Sequence, residues 1–323
     1  MPDRSDVCVL LPTLEEAETV GEVVDGFQEA GFDDVLVVDG HSTDGTREVA
    51  RDHGARVVTQ TGSGKGQAVR EGIDHVDREY VLMADGDGTY RPADAEAMLD
   101  PLFEGRAEHV IGDRFADMEE GAMTRLNRVG NQLINRLFAA VHGRDLRDIL
   151  SGYRAFTRES FQRFRLDAEG FGIETELAVE CVRNGVAAEV VPVRYERRPG
   201  GSETNLHPLK DGGRIILTLY TLTKTNNPIF YFGFVASMGT LLGVLLGGYV
   251  GYDYFVNGIS HEVVALLSAF VILLSMQLFM FGVLSDIIVS VNREQTMMSD
   301  STPNMNSCID SRMTKAASRA TTS

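Results

Sequence analysis

Two aspartates separated by one glycine are the first residues in this sequence whose types and spacing suggest chemistry. Asp85, Gly86 and Asp87 directly follow an apolar run, residues 80–84, that reads as a buried strand. Two carboxylates at a strand end can face one divalent cation, and hard oxygen ligands suit Mg²⁺ or Mn²⁺. Such a metal would bridge a diphosphate and neutralise the charge that develops when the diphosphate leaves. Acidic loops are common in this chain, so a solvated turn is the alternative.

Strand-like and helix-like segments alternate through residues 7–84 and must position these aspartates. Short apolar runs indicate buried strands, and apolar residues three or four positions apart indicate amphipathic helices. Such an alternation predicts a parallel sheet covered on both faces, that is, an α/β fold. The predicted order is strand 7–11, helix 15–30, strand 35–38, helix 46–53, strand 56–59, helix 67–75 and strand 80–84.

Polar residues stand at the ends of three of these strands. Pro12 and Thr13 follow the first strand, Asp39 ends the second, and Asp85 ends the fourth. In open parallel sheets, ligands bind beyond the carboxyl ends of the strands. The sequence therefore predicts one ligand site at this edge of the sheet.

A glycine-rich segment around Lys65 is the next candidate for binding phosphate. It reads Gly62-Ser63-Gly64-Lys65-Gly66. A P-loop needs Ser or Thr directly after the lysine, and a dinucleotide fingerprint should follow the first strand, so neither motif fits. A flexible glycine turn remains the alternative to a phosphate-binding loop.

Two long uncharged stretches follow the predicted α/β part. Residues 225–252 and 263–285 contain no Asp, Glu, Lys or Arg, and each exceeds the roughly 20 residues that a helix needs to cross a bilayer. The loop between them has no Lys or Arg, whereas Lys224 precedes the first stretch and Arg293 follows the second. The positive-inside rule predicts a multi-pass membrane protein whose large domain and both termini are cytoplasmic. Two buried core helices are the alternative.

The segments beside these stretches suggest further boundaries. Residues 209–223 carry apolar side chains at helical spacing, which favours an amphipathic helix on the membrane surface. Residues 297–323 are rich in Ser and Thr without periodicity, so we expect disorder there. The predicted parts are an α/β domain at 1–207, a juxtamembrane helix at 208–224, a two-helix anchor at 225–292 and a disordered tail at 293–323.

The charge of the chain excludes one class of partner and suggests an environment. A formal net charge of -17 argues against nucleic-acid binding, which needs clustered Lys and Arg. Most basic residues are arginines, and an acidic, Lys-poor surface favours a salt-rich, halophilic cytoplasm; high genomic GC content would also replace Lys with Arg. The 3 cysteines have no CxxC spacing, so neither a disulfide framework nor a zinc site is indicated.

The content and order of these motifs resemble the family 2 glycosyltransferases, in particular the branch of archaeal-like dolichyl-phosphate mannose or glucose synthases and polyprenyl-phosphate glycosyltransferases. Glu15 stands where the family's P-T-x-N-E motif has Asn, Gly40 replaces the second Asp of V-D-D-G-S-x-D-G-T, and His41 replaces its Gly. The segments that carry the resemblance are residues 11–16, 38–46, 64–70 (G-K-G-x-A-x-R), 85–87, 112–115 (G-S-R-F) and 148–154 (D-x-x-S-G-F-R).

This resemblance implies a fold and a set of site residues. The fold would be a GT-A, Rossmann-like domain with a mostly parallel sheet, followed by the interfacial helix and two transmembrane helices. Asp85 and Asp87 would hold Mg²⁺ or Mn²⁺. The residues implied for the nucleotide sugar are Pro12, Thr13, Glu16, Asp39, Lys65 and Asp85. The residues implied for catalysis are Asp87, Asp148 and Arg114.

The implied acceptor is a dolichyl or other polyprenyl phosphate in a lipid bilayer. Arginine suits a lipid phosphate because its planar guanidinium can donate two parallel hydrogen bonds to phosphate oxygens. A solvated basic face is the alternative for any one arginine, and the lysine that ends the family's R-x-G-x-S-K segment is missing here. The candidates for binding the acceptor phosphate are Arg114, Arg125, Arg128, Arg197 and Arg198.

A lipid phosphate needs no general base to become a nucleophile. Its second pKa is about 6, so it is mostly a dianion at neutral pH. Catalysis then reduces to positioning two anions, and the resemblance implies inversion at the anomeric carbon. Asp148 is expected to be a base or a brace for arginine and metal, with the brace favoured. Glu174 and Glu176 would line the same cavity or lie on a helix surface.

The expected reaction is transfer of a single hexose, with UDP-glucose favoured as donor and GDP-mannose second, feeding protein N-glycosylation in an archaeon. A membrane-anchored transferase for a glycolipid, protein or polysaccharide acceptor is the main alternative. The Q-x-x-R-W signature of processive polysaccharide synthases is absent from this sequence, which argues against that class. A non-enzymatic sugar-nucleotide-binding protein would be favoured if Asp85 and Asp87 were unable to bind metal. An oligomer is compatible with the sequence.

Overall fold

The protein is described from a computed structural model. The structure describes residues 2–166, 172–199 and 228–301, and the side chains of the last range from Ile229 to Ile288. The chain divides into two compact units, Met1–Leu222 and Thr223–Ser323.

Seven strands form one sheet in the first unit, in the order β3-β2-β1-β4-β6-β5-β7. Neighbouring strands are parallel except around β6, which runs antiparallel to β4 and β5. This confirms the predicted α/β fold with a mostly parallel sheet. The strands are β1 (Val7–Thr13), β2 (Val35–Asp39), β3 (Arg56–Thr59), β4 (Tyr80–Met83), β5 (His109–Met118), β6 (Arg154–Thr157) and β7 (Ala188–Tyr195).

Helices cover both faces of this sheet. Alternate residues of β1 enter two different cores: Val9 and Leu11 pack with α1 and α4, whereas Cys8 and Leu10 pack with α3 and α7. A strand buried on both faces is apolar throughout, which is why β1 shows no alternation in the sequence. The helices are α1 (Val20–Glu29), α2 (Thr46–Asp52), α3 (Lys65–Asp74), α4 (Ala95–Phe103), α5 (Arg125–His142), α6 (Arg158–Gln162) and α7 (Ile173–Arg183).

The first helix begins later than the sequence predicts. It starts at Val20 rather than at residue 15, and Glu15 has a left-handed backbone with φ 55°. Side chains of the loop after β2 accept hydrogen bonds from the backbone that precedes the helix. The N–H groups of residues 15–17 donate to the side chains of Ser42, Thr46 and Asp44 at 2.9, 2.9 and 3.0 Å. These bonds hold the first motif against the second.

The first strand continues through a proline where the sequence predicts its end. Pro12 lies within β1, opposite Val38 of β2. On the other side, β4 pairs with β1 only as far as Leu10 and Met83. The N–H that Pro12 lacks would face β4, where the pairing with β1 has already ended. No hydrogen bond of the sheet is therefore lost, and the strand tolerates the proline.

The second unit contains two long helices, α8 (Pro228–Tyr252) and α9 (Glu262–Ser301), joined through a π-helical turn at Asp253–Asn257. By length and composition, Ile229–Asn257 and Glu262–Ile288 are apolar enough to cross a membrane. The helices pack closely through small residues of α8. A Cβ on Gly243 would lie 2.5 Å from Ile272, and one on Gly247 would lie 3.0 Å from the hydroxyl of Ser268.

The sequence predicts a disordered tail from residue 293, but α9 continues to Ser301. The prediction is therefore wrong for residues 293–301. Residues 283–302 contain neither Gly nor Pro, so nothing in that stretch breaks the helix, and Pro303 follows its end. The predicted surface helix at 209–223 and the tail beyond residue 301 lie outside the described residues.

Candidate active site

The loop after β4 carries the two aspartates of the metal motif. Asp87 is buried, and its Oδ1 accepts hydrogen bonds from the backbone N–H and the hydroxyl of Thr89, at 3.1 and 2.6 Å. Gly88 has φ 74°, which lets the chain turn between Asp87 and Thr89. One carboxylate oxygen therefore fixes the loop, and the other is turned toward Arg198, whose Nε lies 3.2 Å away.

Lys65 joins three separate segments at this edge of the sheet. Its ammonium group forms ion pairs with Asp85 and with Glu174, the latter at 2.6 Å. Burial alone would lower the pKa of Lys65, but the charges of the two carboxylates outweigh burial and raise it. The lysine is therefore a fixed positive charge beside Asp85. Glu174 and Glu176 are buried at the start of α7, and Glu174 belongs to this cluster.

Glycines allow the carboxylates to approach the backbone closely. A Cβ on Gly86 would lie 2.5 Å from Oε2 of Glu16 and 2.6 Å from Cγ2 of Thr13. A Cβ on Gly152 would lie 2.6 Å from Oδ2 of Asp85. Any larger residue at either position would displace these side chains.

Glu16 is a buried carboxyl group at the same place. Its Oε2 has no hydrogen-bond partner. Burial, followed by the negative charges of Asp87 and Asp85, raises the pKa of Glu16 well above its usual range. Four carboxyl groups, those of Glu16, Asp85, Asp87 and Glu174, thus share a site with two cations, Lys65 and Arg198. The negative charge that remains favours an additional cation.

The oxygen donors at this loop fit a divalent cation held jointly with a ligand. Among the described residues, no three His, Cys, Asp or Glu side chains could hold a metal ion by themselves. A magnesium ion bound through phosphates needs only one or two protein carboxylates. Asp85 engages Lys65 through Oδ1, and the partnerless oxygen of Glu16 lies close by. Asp85 and Asp87 are therefore suited to Mg²⁺ or Mn²⁺ in the presence of a diphosphate.

A second group of polar atoms lies at the ends of β2 and β3. Oδ2 of Asp39 accepts the N–H groups of His41 and Ser42, both at 3.0 Å, while its Oδ1 is buried and has no partner. Gln60 follows β3, and its side-chain oxygen is also buried and partnerless. Buried polar atoms are normally hydrogen-bonded, so this pair is poised for a ligand.

Sequence reasoning missed Gln60, although its place directly after the third strand was a usable signal. Thr13 has a third partnerless buried oxygen, its hydroxyl, at the end of β1. Pro12 beside it is buried in the strand. The residues predicted for the nucleotide therefore share one edge of the sheet, as the topology requires.

Arg114 and Asp148 form a second buried ion pair. Arg114 Nε lies 2.7 Å from Oδ2 of Asp148, and its Nη2 lies 2.8 Å from Oδ1. Their side chains are 9% and 0% exposed. Burial would lower the pKa of Arg114, but the charge of Asp148 outweighs burial and raises it. The guanidinium is held in one orientation by both oxygens.

A cluster of tyrosines connects this pair with the aspartate loop. Arg114 lies over the ring of Tyr195, 5.4 Å from its centroid, and Tyr195 contacts Tyr90 at 5.4 Å between centroids. The hydroxyl of Tyr90 accepts the N–H of Gly152 at 2.9 Å. Tyr90 and Tyr195 were not among the predicted site residues, and no local motif marks them.

The remaining predicted arginines lie on the surface. Arg197 is exposed, and its backbone N–H donates to Glu119 at 2.8 Å. Arg125 and Arg128 are exposed on the first turn of α5. Within the described ranges, the structure shows neither of these two side chains bonded to the aspartate cluster. Of the five arginines predicted for an acceptor phosphate, it places Arg114 and Arg198 among the site residues.

Residues 8–165 match the glycosyl transferase family 2. The chain is similar to glycosyltransferase AglJ of Haloferax volcanii, with 61% identity over 296 residues that span 91% of this chain and 97% of the relative. It is also similar to a dolichyl-phosphate hexose transferase of the same organism, with 34% identity over 212 residues, 65% of this chain and 90% of the relative.

The first unit is similar to solved GT-A enzymes. Glucosyl-3-phosphoglycerate synthase of Mycobacterium tuberculosis, in complex with Mn²⁺, UDP-glucose and phosphoglyceric acid, matches with a TM-score of 0.57 and 25% identity, covering 67% of this chain and 79% of that chain. The predicted fold class is confirmed. The sequence, its relatives and its fold agree that this chain belongs to the glycosyl transferase family 2.

Proposed function

We propose that this enzyme transfers a single hexose from a nucleotide sugar to a dolichyl or other polyprenyl phosphate at the cytoplasmic face of a membrane. The observation that carries the proposal is the aspartate loop between two cations, Lys65 and Arg198, joined through tyrosines to the buried Arg114–Asp148 pair. Such an arrangement can bind a diphosphate and a second phosphate close together. The similarity to a dolichyl-phosphate hexose transferase supports the same acceptor.

The donor we favour is UDP-glucose, with GDP-mannose second. The partnerless Oδ1 of Asp39 can accept the ring N–H of uracil or guanine. Adenine and cytosine carry an unprotonated ring nitrogen at the corresponding position, so a buried carboxylate would repel them. Gln60 would bond a second atom of the base edge. The solved relative that binds UDP-glucose supports uracil as the first choice.

Asp85 and Asp87 would hold Mg²⁺ or Mn²⁺ together with the diphosphate. When bound, the cation would neutralise charge on the departing nucleoside diphosphate. Lys65 would contribute to the same neutralisation from the protein side. The solved relative that contains Mn²⁺ together with UDP-glucose supports a divalent ion in this role.

The acceptor phosphate would attack the sugar without help from a base. One of its oxygens forms a bond to the anomeric carbon while the bond from that carbon to the diphosphate oxygen breaks, and the electron pair leaves with the nucleoside diphosphate. The dianion carries no proton that must be removed. Both oxygens of Asp148 are engaged by Arg114, which supports a bracing role for the aspartate. Attack from the opposite side inverts the anomeric centre.

The membrane part of the proposal rests on the second unit. Its two helices are long and apolar enough to act as an anchor. Lys224 before them and Arg293 after them, with no Lys or Arg in the loop between, support a cytoplasmic first unit. The boundaries we propose remain an enzymatic domain at 1–207, a juxtamembrane helix at 208–224 and an anchor from residue 225. We propose that the product feeds protein N-glycosylation.

A labelled-sugar assay tests this function. Membranes that contain the full chain are incubated with polyprenyl phosphate and, in turn, labelled UDP-glucose and GDP-mannose. We expect the wild type to produce an acid-labile, labelled product that enters an organic-solvent extract. Asp87→Asn should form none of this product. Asp77→Asn, which changes an exposed aspartate, should form it like the wild type. Label that enters protein, glycolipid stable to mild acid, or polymer would replace the proposed acceptor with one of the alternatives.

A further inference from the structure

Helix α5 exposes an apolar face that none of the site functions above explains. Leu126, Val129, Leu133 and Leu137 are 69%, 64%, 56% and 46% exposed. At about 100° per residue, these four side chains fall within an arc of about 80° along a helix about 27 Å long. Single exposed leucines are ordinary, but a continuous stripe of four marks an interaction surface.

The opposite face of α5 already anchors the helix to its own domain. Ile134 and Phe138 are buried and pack in a core cluster with residues of α7. The exposed stripe is therefore a second apolar face, separate from the one that folding requires. An amphipathic helix needs only one apolar face to pack on a globular domain.

Arginines occupy the arc next to the exposed stripe. Arg125, Arg128 and Arg136 are exposed there, and residues 121–144 contain no Asp or Glu. The whole chain has 47 acidic residues and a net charge of -17, and no other stretch of this length within residues 1–222 lacks an acidic residue. The surface joins aliphatic side chains to guanidinium groups.

We propose that α5 docks on the surface of an anionic bilayer. The aliphatic stripe would enter the boundary between headgroups and acyl chains, and the arginines would contact lipid phosphates. This combination of an apolar face and a basic flank is typical of interfacial helices. The surface lacks the aromatic side chains that dominate the centres of protein interfaces, which favours lipid as the partner. The inference rests on the proposed function in that both need the enzyme at a membrane.

Tethering makes so small a contact sufficient. Four aliphatic side chains give a free helix only weak affinity for lipid, but α8 and α9 in the same chain would hold the enzyme at the bilayer and raise the effective concentration. In about 1 M salt the Debye length falls to about 3 Å, so only arginines in direct contact with phosphate still contribute. The aliphatic stripe would therefore carry most of the docking in a salt-rich cytoplasm.

A fluorescence experiment on the full chain tests the contact directly. Leu133→Cys, in a Cys308→Ser background, carries a fluorophore in nanodiscs of phosphatidylglycerol that contain a lipid with a nitroxide near the top of its acyl chain. We expect several-fold stronger quenching by this lipid at position 133 than at Glu22→Cys, an exposed site on α1. Equal, weak quenching at both sites would overturn the proposal. In discs that hold two chains, the probe could instead be shielded from acrylamide and yet not be quenched by the nitroxide lipid. That result would overturn lipid docking and assign the stripe to contact with a second copy of the chain.

A kinetic comparison adds a readout of function. Val129→Glu/Leu133→Glu should raise the KM for polyprenyl phosphate in liposomes by about tenfold or more, because the charged stripe no longer enters lipid, with the KM for the nucleotide sugar unchanged. Arg51→Glu changes the net charge by the same amount as the double variant, at an exposed position on α2. This control should leave both KM values unchanged. An unaltered acceptor KM in the double variant would contradict docking. The quenching experiment does not require turnover, so failure of the proposed function and failure of docking are distinguishable.

Discussion

Arg114 donates two hydrogen bonds to Asp148, from Nε to Oδ2 at 2.7 Å and from Nη2 to Oδ1 at 2.8 Å. Both side chains are buried, so the pair is shielded from water and the guanidinium plane is fixed. A carboxylate with both oxygens engaged is poorly placed to accept a proton from a substrate. The geometry therefore supports a positioned cation at this point of the site rather than a general base.

Asp148→Asn separates these two roles. The substitution leaves a buried guanidinium without its counter-charge, so we expect a loss of transfer on the order of 10²-fold from misplacement of Arg114. The residual activity should still rise with pH through about pH 6, because that rise reports ionisation of the acceptor phosphate. A residual pH profile that lacks this rise would identify Asp148 as a base. Asp77→Asn serves as the control.

Gly152→Ala tests the contact between two motifs. The new Cβ would lie 2.6 Å from Oδ2 of Asp85, so the aspartate side chain must move. We expect transfer to fall by about 10²-fold, since misplacement of about 1 Å has effects of that size. Gly130→Ala has open space around its Cβ and should keep full activity. Wild-type transfer by Gly152→Ala would show that the position of Asp85 is unimportant.

The raised pKa of Glu16 predicts how stability changes with pH. A carboxyl group whose pKa is higher in the folded state binds more protons there than in the unfolded chain, so stability falls as pH rises from the ordinary value of 4.5 through the folded pKa. Glu16→Gln removes this loss.

Differential scanning calorimetry of the detergent-solubilised chain, in EDTA and without nucleotide, measures the effect. We expect Glu16→Gln to unfold at a higher temperature than the wild type at pH 8 and with a smaller difference at pH 5. Glu22→Gln, at an exposed site on α1, should follow the wild type at both. A Glu16→Gln variant that unfolds earlier than the wild type at pH 8 would contradict the proposed burial of negative charge.

The pattern of apolar runs was enough to predict the sheet edge where the site lies. Strand ends marked by Thr13, Asp39 and Asp85 had to meet because parallel strands share their direction. The pairing of Lys65 with Glu174 was not predictable, since these residues are distant in sequence and only the folded chain brings them together. Which carboxylates receive a cation depends on tertiary packing.

Two departures from the family motifs fall at left-handed backbone positions. Glu15 has φ 55° and His41 has φ 70°. The family has Asn and Gly at these positions, which are the residues that adopt this conformation most easily. Helical periodicity alone placed Glu15 inside α1, because a side-chain pattern does not report the sign of φ. The loop bonds to Ser42, Thr46 and Asp44 decide the conformation instead.

The central claim is that Asp85 and Asp87 hold a divalent ion together with a nucleotide, and binding of Mn²⁺ to the purified full chain tests it most directly. Electron paramagnetic resonance counts free Mn²⁺ in the presence and absence of UDP. We predict that the wild type and Asp77→Asn bind one Mn²⁺ per chain when UDP is present, and that Asp87→Asn loses both this binding and sugar transfer by at least about 10²-fold. An Asp87→Asn variant that binds Mn²⁺ with UDP and transfers sugar like the wild type would contradict the account.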